Sequence, residues 1–286
     1  MLVNTKEMLE EANQGNFAIP SPDYCNMNMV RAYVETAEKL GQPAILAYSE
    51  AMQSVLSLED AYIIGKYYAQ KASVPVALHI DHGKSTAFVK KAVDIGFTSV
   101  MIDASSDSFE ENVRKTREIT EYAHYRGITV EAEIGHVGAG VNYEEETGDA
   151  SIYTQKDELI RFVELTGVDS VAVSIGTAHG FYKGVPHISF ERLKELKGAV
   201  DIPLVLHGGS GSGDENLRKC AELGISKINI FTDLCVAGAK AMKEDDSGNY
   251  KLMMAAADTA ISKMLEHYYH VFNCDRERRR NAQKVN

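Results

Sequence analysis

The stretch VPVALHIDHGKSTAFVKKAVDIGFTSVMIDAS, residues 74–105, decides how the chain is read. An aliphatic run from Pro75 to Ile80 ends on Asp81 and His82, and apolar residues then recur at helical spacing from Thr86 to Ile95. Gly96 follows, and a second aliphatic run, Ser99 to Ile102, ends on Asp103. Apolar runs without period-two alternation suit strands covered on both faces, and a helix between two such strands makes them parallel neighbours.

Working outward, the same unit recurs. Further β-rich runs stand at Phe17 to Pro20, Ala44 to Tyr48, Thr129 to Ile134, Ser170 to Ile175, Pro203 to Leu206 and Lys227 to Phe231, which brings the total to eight. Helical spacing occupies Met29 to Leu40, Leu58 to Ala72, Phe109 to Tyr125, Lys156 to Leu165, Ser189 to Lys197 and Asp214 to Leu223. Gly41, Gly96, Gly127, Gly167 and Gly224 fall where a helix ends in the left-handed conformation that glycine adopts without Cβ strain. Eight βα units predict the α/β class and a closed (β/α)8 barrel, the TIM barrel, as one domain over residues 1–286 with a basic tail from about 274. An open doubly wound sheet is the weaker reading, because no G-x-G-x-x-G follows the first strand.

Chemistry-bearing residues follow the predicted strands. His82, His179 and His207 end the segments ALHIDHG, VSIGTAHG and PLVLHGGSG, and three imidazoles delivered by separate strand ends suit a catalytic zinc with an open fourth position. Asp81, Asp103, Glu133 and the segment Asn229 to Asp233 fall at the same ends, so a barrel would gather them on one face. The chain carries Lys+Arg 30 against Asp+Glu 41, a net charge of −11, which disfavours nucleic acid and anionic membrane surfaces as partners. Neither a signal peptide nor an apolar run of membrane-spanning length occurs, so a cytoplasmic protein is expected. Cys25, Cys220, Cys235 and Cys274 show no paired spacing and are read as reduced packing residues.

The motifs LHIDHG, SVMIDAS, VEAEIG, IGTAHGFYKG, PLVLHGGSG and KINIFTDL resemble, in order and spacing, those of the class II metal-dependent ketose-bisphosphate aldolases, from about residue 2 to about residue 265. The resemblance implies a zinc-dependent lyase that cleaves a phosphorylated ketose into dihydroxyacetone phosphate and an aldehyde, reversibly. Fructose 1,6-bisphosphate is the default substrate; tagatose 1,6-bisphosphate or a ketose 1-phosphate with a non-standard distal group is the alternative. It makes His82, His179 and His207 the zinc ligands and Asp81 the acid/base residue. Asp103 and Glu133 become the ligands of a second or displaced metal position, taking a further divalent or a monovalent cation. Gly180, Lys183, Gly208, Gly209, Ser210, Asn229 and Thr232 become substrate and phosphate contacts, with Ser49 near the distal phosphate, and a homodimer or homotetramer is implied.

Competing readings exist for several of these residues. Asp81 could cap a helix, Asp103 could cap the helix beginning near Ser108, and Glu133 could be a structural carboxylate paired with a lysine. A glycine-rich turn can occur with no ligand. A barrel zinc hydrolase and a non-catalytic sugar-phosphate-binding protein are the readings from other classes.

Three segments depart from the family's pattern. IPSPDYCN places Pro22 and Asp23 where Phe-Asn is usual, so an anion stands in place of a donor. The loop GHVGAGVNYEEETGD is about two residues longer than the family's, and either one of Glu144, Glu145 and Glu146 moves the proton of the enediolate or the three form a solvated acidic run. FNCDRERRRNAQKVN brings five basic residues between Arg276 and Lys284, which form a solvated tail or reach a neighbouring subunit's phosphate site.

Overall fold

The computed structural model describes residues 1–135, 138–139, 153–179 and 186–274. Eight strands form one parallel sheet: β1 (Ile19–Pro22), β2 (Ala44–Ser49), β3 (Val76–Gly83), β4 (Ser99–Ile102), β5 (Thr129–Ile134), β6 (Ser170–Val173), β7 (Leu204–Leu206) and β8 (Ile225–Ile230). Their order is sequential, and β1 pairs with β8, which wraps the sheet into a nearly closed barrel. The seam between β1 and β2 is held by a bridge from Asp23 to Ala47, with the Tyr24 N–H donating to the Ala47 carbonyl at 3.0 Å. Its thinness has a covalent cause. In a parallel strand alternate residues face alternate neighbours, so Pro20 and Pro22 share the β2 side with Tyr24 and have no N–H to donate there.

Outside the strands lie α1 (Lys6–Gly15), α2 (Met27–Leu40), α3 (Leu58–Lys71), α4 (Thr86–Ile95), α5 (Phe109–His124), α6 (Lys156–Thr166), α7 (Phe190–Lys197), α8 (Asp214–Glu222), α9 (Thr232–Glu244) and α10 (Tyr250–Val271). Side-chain oxygens of Asn26, Ser57, Ser85, Ser108 and Ser189 cap the starts of α2, α3, α4, α5 and α7. The five glycines expected after helices all have positive φ, from 61° at Gly41 to 115° at Gly96. All residues of β2, β4, β5, β6, β7 and β8 are buried, as strands covered on both faces require.

Strand positions follow the sequence reading, with shifts of two or three residues at four strands: β3 runs on through Asp81 and His82 to Gly83, and β6 ends at Val173. β1 starts two residues later than Phe17, and β8 begins at Ile225 because α8 ends at Glu222 and only Leu223 and Gly224 intervene. α1, α9 and α10 were not among the helical segments read from the sequence. No helix among the described residues is long and apolar enough to cross a membrane. The four cysteines are free thiols, with Cys220 and Cys274 buried.

Candidate active site

The C-terminal ends of the strands bring the predicted residues together around a cavity of about 210 Å³ lined by, among others, Asp23, Ser49, Asp81, His82, Gly208 and Asn229. Strand register does much of this work: Ser49 on β2 lies beside Asp81 on β3, and Ser21 on β1 lies beside Asn229 on β8. His82 has φ of +47°, a left-handed conformation that costs a residue with a Cβ free energy and is kept only where surrounding contacts hold it. Those contacts are its Nδ1, 2.8 Å from Asp103 Oδ2, and its ring, whose centroid lies 4.5 Å from that of His207.

Asp103 is in turn held by the Lys84 ammonium and by the Ser105 hydroxyl, which donates to Oδ1 at 2.7 Å. Burial alone would raise its pKa; the hydrogen bond and charge of His82, with Lys84 and Ser105, hold the carboxyl well below the usual range. The capping alternatives are resolved, since Ser85 and Ser108, not Asp81 and Asp103, cap α4 and α5. Asp81 Oδ1 accepts from Asn229 Nδ2 at 2.7 Å. Burial pushes Asp81 up, but the charges of His82, His207, Lys227 and His79 outweigh it and bring the carboxyl down to about 2.

His207 is fully buried between two carboxylates, with Nδ1 2.9 Å from Glu133 Oε2 and Nε2 3.0 Å from Glu131 Oε1. Burial favours its neutral form, yet the hydrogen bonds to Glu131 and Glu133 outweigh it and raise the pKa to about 10. The lysine-paired carboxylate is Glu131, two residues before the one anticipated: Lys227 Nζ reaches Glu131 Oε2 at 2.8 Å and His79 Nε2 at 3.2 Å. Burial, then the charge of Lys227, lowers the His79 pKa to about 3. Glu131, Lys227 and Lys84 were missed by sequence reasoning. The signal was present, since Glu131 and Glu133 are two apart in β5 and face the same side, and Lys227 interrupts the apolar ISKINI.

His179 is described by its main chain, which pairs with Ala139 in a short parallel ladder, Gly138–Ala139 against Ala178–His179. A Cβ on Gly208, whose φ is +68°, would stand 2.4 Å from the Ala178 carbonyl oxygen. The backbone leading into His179 is therefore pressed against the residue that follows His207. Gly180, Lys183, Glu144, Glu145, Glu146 and the basic tail from Arg276 lie outside the described residues.

The donor set suits a divalent cation. Asp81, His82 and His207 each offer an atom within 4.8 Å of the others, and so do His82, Asp103 and Glu133. Asp81, Asp103, Glu131 and Glu133 face only Lys84 and Lys227 as lysine partners among the described residues, and the remaining negative charge is what a dication would neutralise. At His207 a metal ion would stand in for a proton, leaving the other nitrogen to a carboxylate, the usual arrangement around ligating histidines.

The glycine-rich turn lies beside this cluster. Ser210 Oγ accepts from the Phe231 and Asp233 N–H groups at 3.2 and 3.3 Å, so its own proton is available to a ligand, and Thr232 opens α9 at the cavity wall. Asp23 follows β1, the strand that pairs with β8, and its carbonyl accepts from the Tyr33 hydroxyl at 2.8 Å. Burial, then the negative charge of Asp81, raises the Asp23 pKa well above the usual range.

A family model described as fructose-bisphosphate aldolase class-II matches residues 3–277. The crystal structure of the YdjI aldolase from Escherichia coli K12 superposes with a TM-score of 0.88 at 35% identity, over 97% of this chain and 99% of that one. The fructose-bisphosphate aldolase (Fba) of Campylobacter jejuni shares the fold, with a TM-score of 0.77 at 23% identity over 96% of each chain.

Proposed function

Because the chain belongs to the class-II fructose-bisphosphate aldolase family, a family of metal-dependent lyases, we propose that it cleaves a ketose phosphorylated at carbon 1 into dihydroxyacetone phosphate and an aldehyde, reversibly, and that zinc is its metal. The observation that carries this reading is the cluster of Asp81, His82 and His207, with donor atoms within 4.8 Å of one another, beside the Gly208–Ser210 turn. In it His82, His179 and His207 would hold the ion, which supplies Lewis-acid polarisation of the substrate carbonyl.

Each protein group has a task in the cleavage. Asp81, ionised and oriented by Asn229, takes the proton of the hydroxyl on carbon 4 as the bond between carbons 3 and 4 breaks. The electron pair of that bond passes to carbon 3, and a proton delivered there completes dihydroxyacetone phosphate. One of Glu144, Glu145 and Glu146 delivers it in this reading. Asp103 orients the His82 ring and Glu131 the His207 ring, while Gly180, Lys183, Gly208, Gly209, Ser210 and Thr232 receive the phosphate of carbon 1. Asp103 and Glu133 together offer the second cation position. A cytoplasmic homodimer or homotetramer with no nucleic-acid or membrane partner completes the proposal.

The test is Asp81→Asn. Removing a general acid/base group lowers kcat by about 10²- to 10⁴-fold, so turnover should fall by that order while zinc content stays at the wild-type level. A variant that retains turnover, or that loses its metal together with its turnover, contradicts the role given to Asp81.

A further inference from the structure

The two sides of the cavity differ in what they can offer a ligand. On the β7–β8 side the glycine turn, the Ser210 hydroxyl and the N-terminus of α9 offer donors, beside the side-chain oxygen of Asn229. On the β1–β2 side stand Asp23, Ser49 and Met52. Asp23 is nine-tenths buried, and its Oδ1 has no hydrogen-bond partner among the described residues. Ser49 Oγ caps the short 3-10 turn after β2, accepting from the Ala51 N–H at 3.4 Å. No lysine or arginine lines the cavity among the described residues.

A second acceptor is in the same condition. Asn229 gives its Nδ2 to Asp81 and keeps a buried Oδ1 with no partner. Two buried acceptors facing one cavity call for a ligand that brings donors, because an unsatisfied buried acceptor forfeits the hydrogen bonds it had in water. A phosphate dianion brings none. A hydroxyl-bearing carbon chain brings one donor per carbon and no charge.

We propose that Asp23 selects ketose 1-phosphates whose distal end is an uncharged, hydroxyl-bearing chain, its Oδ1 accepting a hydrogen bond from a hydroxyl of the aldehyde half. This rests on the aldolase reading of the same site. The donor side then serves the phosphate on carbon 1, and the Asp23 side serves the half released as the aldehyde. Fructose 1,6-bisphosphate, with phosphate at both ends, becomes a poor substrate, and the preferred aldehyde is a neutral polyol aldehyde.

The test uses the zinc-loaded full chain in the condensation direction, with dihydroxyacetone phosphate and one of three aldehydes: glyceraldehyde, glyceraldehyde 3-phosphate or propanal. Wild-type kcat/KM for glyceraldehyde should exceed that for each of the other two at least tenfold. Asp23→Asn should raise the ratio of phosphorylated to neutral glyceraldehyde at least tenfold, and Asp23→Ala should remove most of the advantage of glyceraldehyde over propanal. Equal or better use of glyceraldehyde 3-phosphate by the wild type, which needs no variant to fold, overturns the proposal; so do unchanged ratios in both variants. Exchange of the carbon-bound protons of dihydroxyacetone phosphate with deuterated solvent, followed by NMR on the wild type, separates the two levels. Exchange without the aldehyde preference refutes the role of Asp23 alone, whereas no exchange and no condensation refutes the aldolase reading and this proposal with it.

Discussion

His79 shows how far a single residue's surroundings can move its chemistry. It is fully buried, its Nδ1 lies 2.8 Å from Ser99 Oγ, and burial beside the Lys227 ammonium keeps the ring neutral down to about pH 3. In the unfolded chain the same ring takes up a proton near pH 6.5. A depressed folded-state pKa means the unfolded state binds more protons below 6.5, so the stability contribution is present above that pH and is lost as pH falls toward 3. The slope is at most about 1.4 kcal/mol per pH unit for one group. Denaturant titrations of chelator-treated protein between pH 6.5 and 4 should therefore show stability falling with pH, and His79→Asn should flatten that slope. Parallel lines for wild type and variant would mean that His79 titrates alike in both states.

At the scale of elements, the βα units do two jobs, and the sequence shows one of them better than the other. Aliphatic runs and terminal glycines set the strands and helices, and the residues at strand ends, from Asp81 to Asn229, follow from strand position alone. Gly208 carries a second, less visible constraint, because its positive φ and its contact with the Ala178 carbonyl tie β7 to the ladder that ends in His179. Gly208→Ala should cost at least about 1–2 kcal/mol from the left-handed backbone alone, before the clash is counted. It should also lower zinc content while leaving His207 in place; full zinc content in a stably folded variant would separate the two strand ends. Less legible was the polar layer below the site. Glu131 and Lys227 lie inside strands, where a charged residue is unusual unless a partner crosses the barrel, and that partner is far away in sequence. α9 escaped for another reason: only its Leu234 and Gly238 are buried, so its apolar stripe is narrow.

For the whole molecule, the barrel resolves a conflict of charge. In the proposed reading a chain with net charge −11 binds a phosphorylated sugar, through backbone N–H groups, helix termini and a metal site rather than through a basic surface. The same closure gathers Asp81, Asp103, Glu131 and Glu133 around His82 and His207, where neighbouring cations offset their mutual repulsion. Barrel closure, metal affinity and aldol chemistry therefore belong to one account, and removing the metal tests it most directly. The purified chain is stripped with a chelator, reloaded with zinc, and followed for release of dihydroxyacetone phosphate from fructose 1-phosphate. Release should disappear on stripping and return on reloading with about one zinc per chain. Release that persists undiminished in metal-free protein would contradict it.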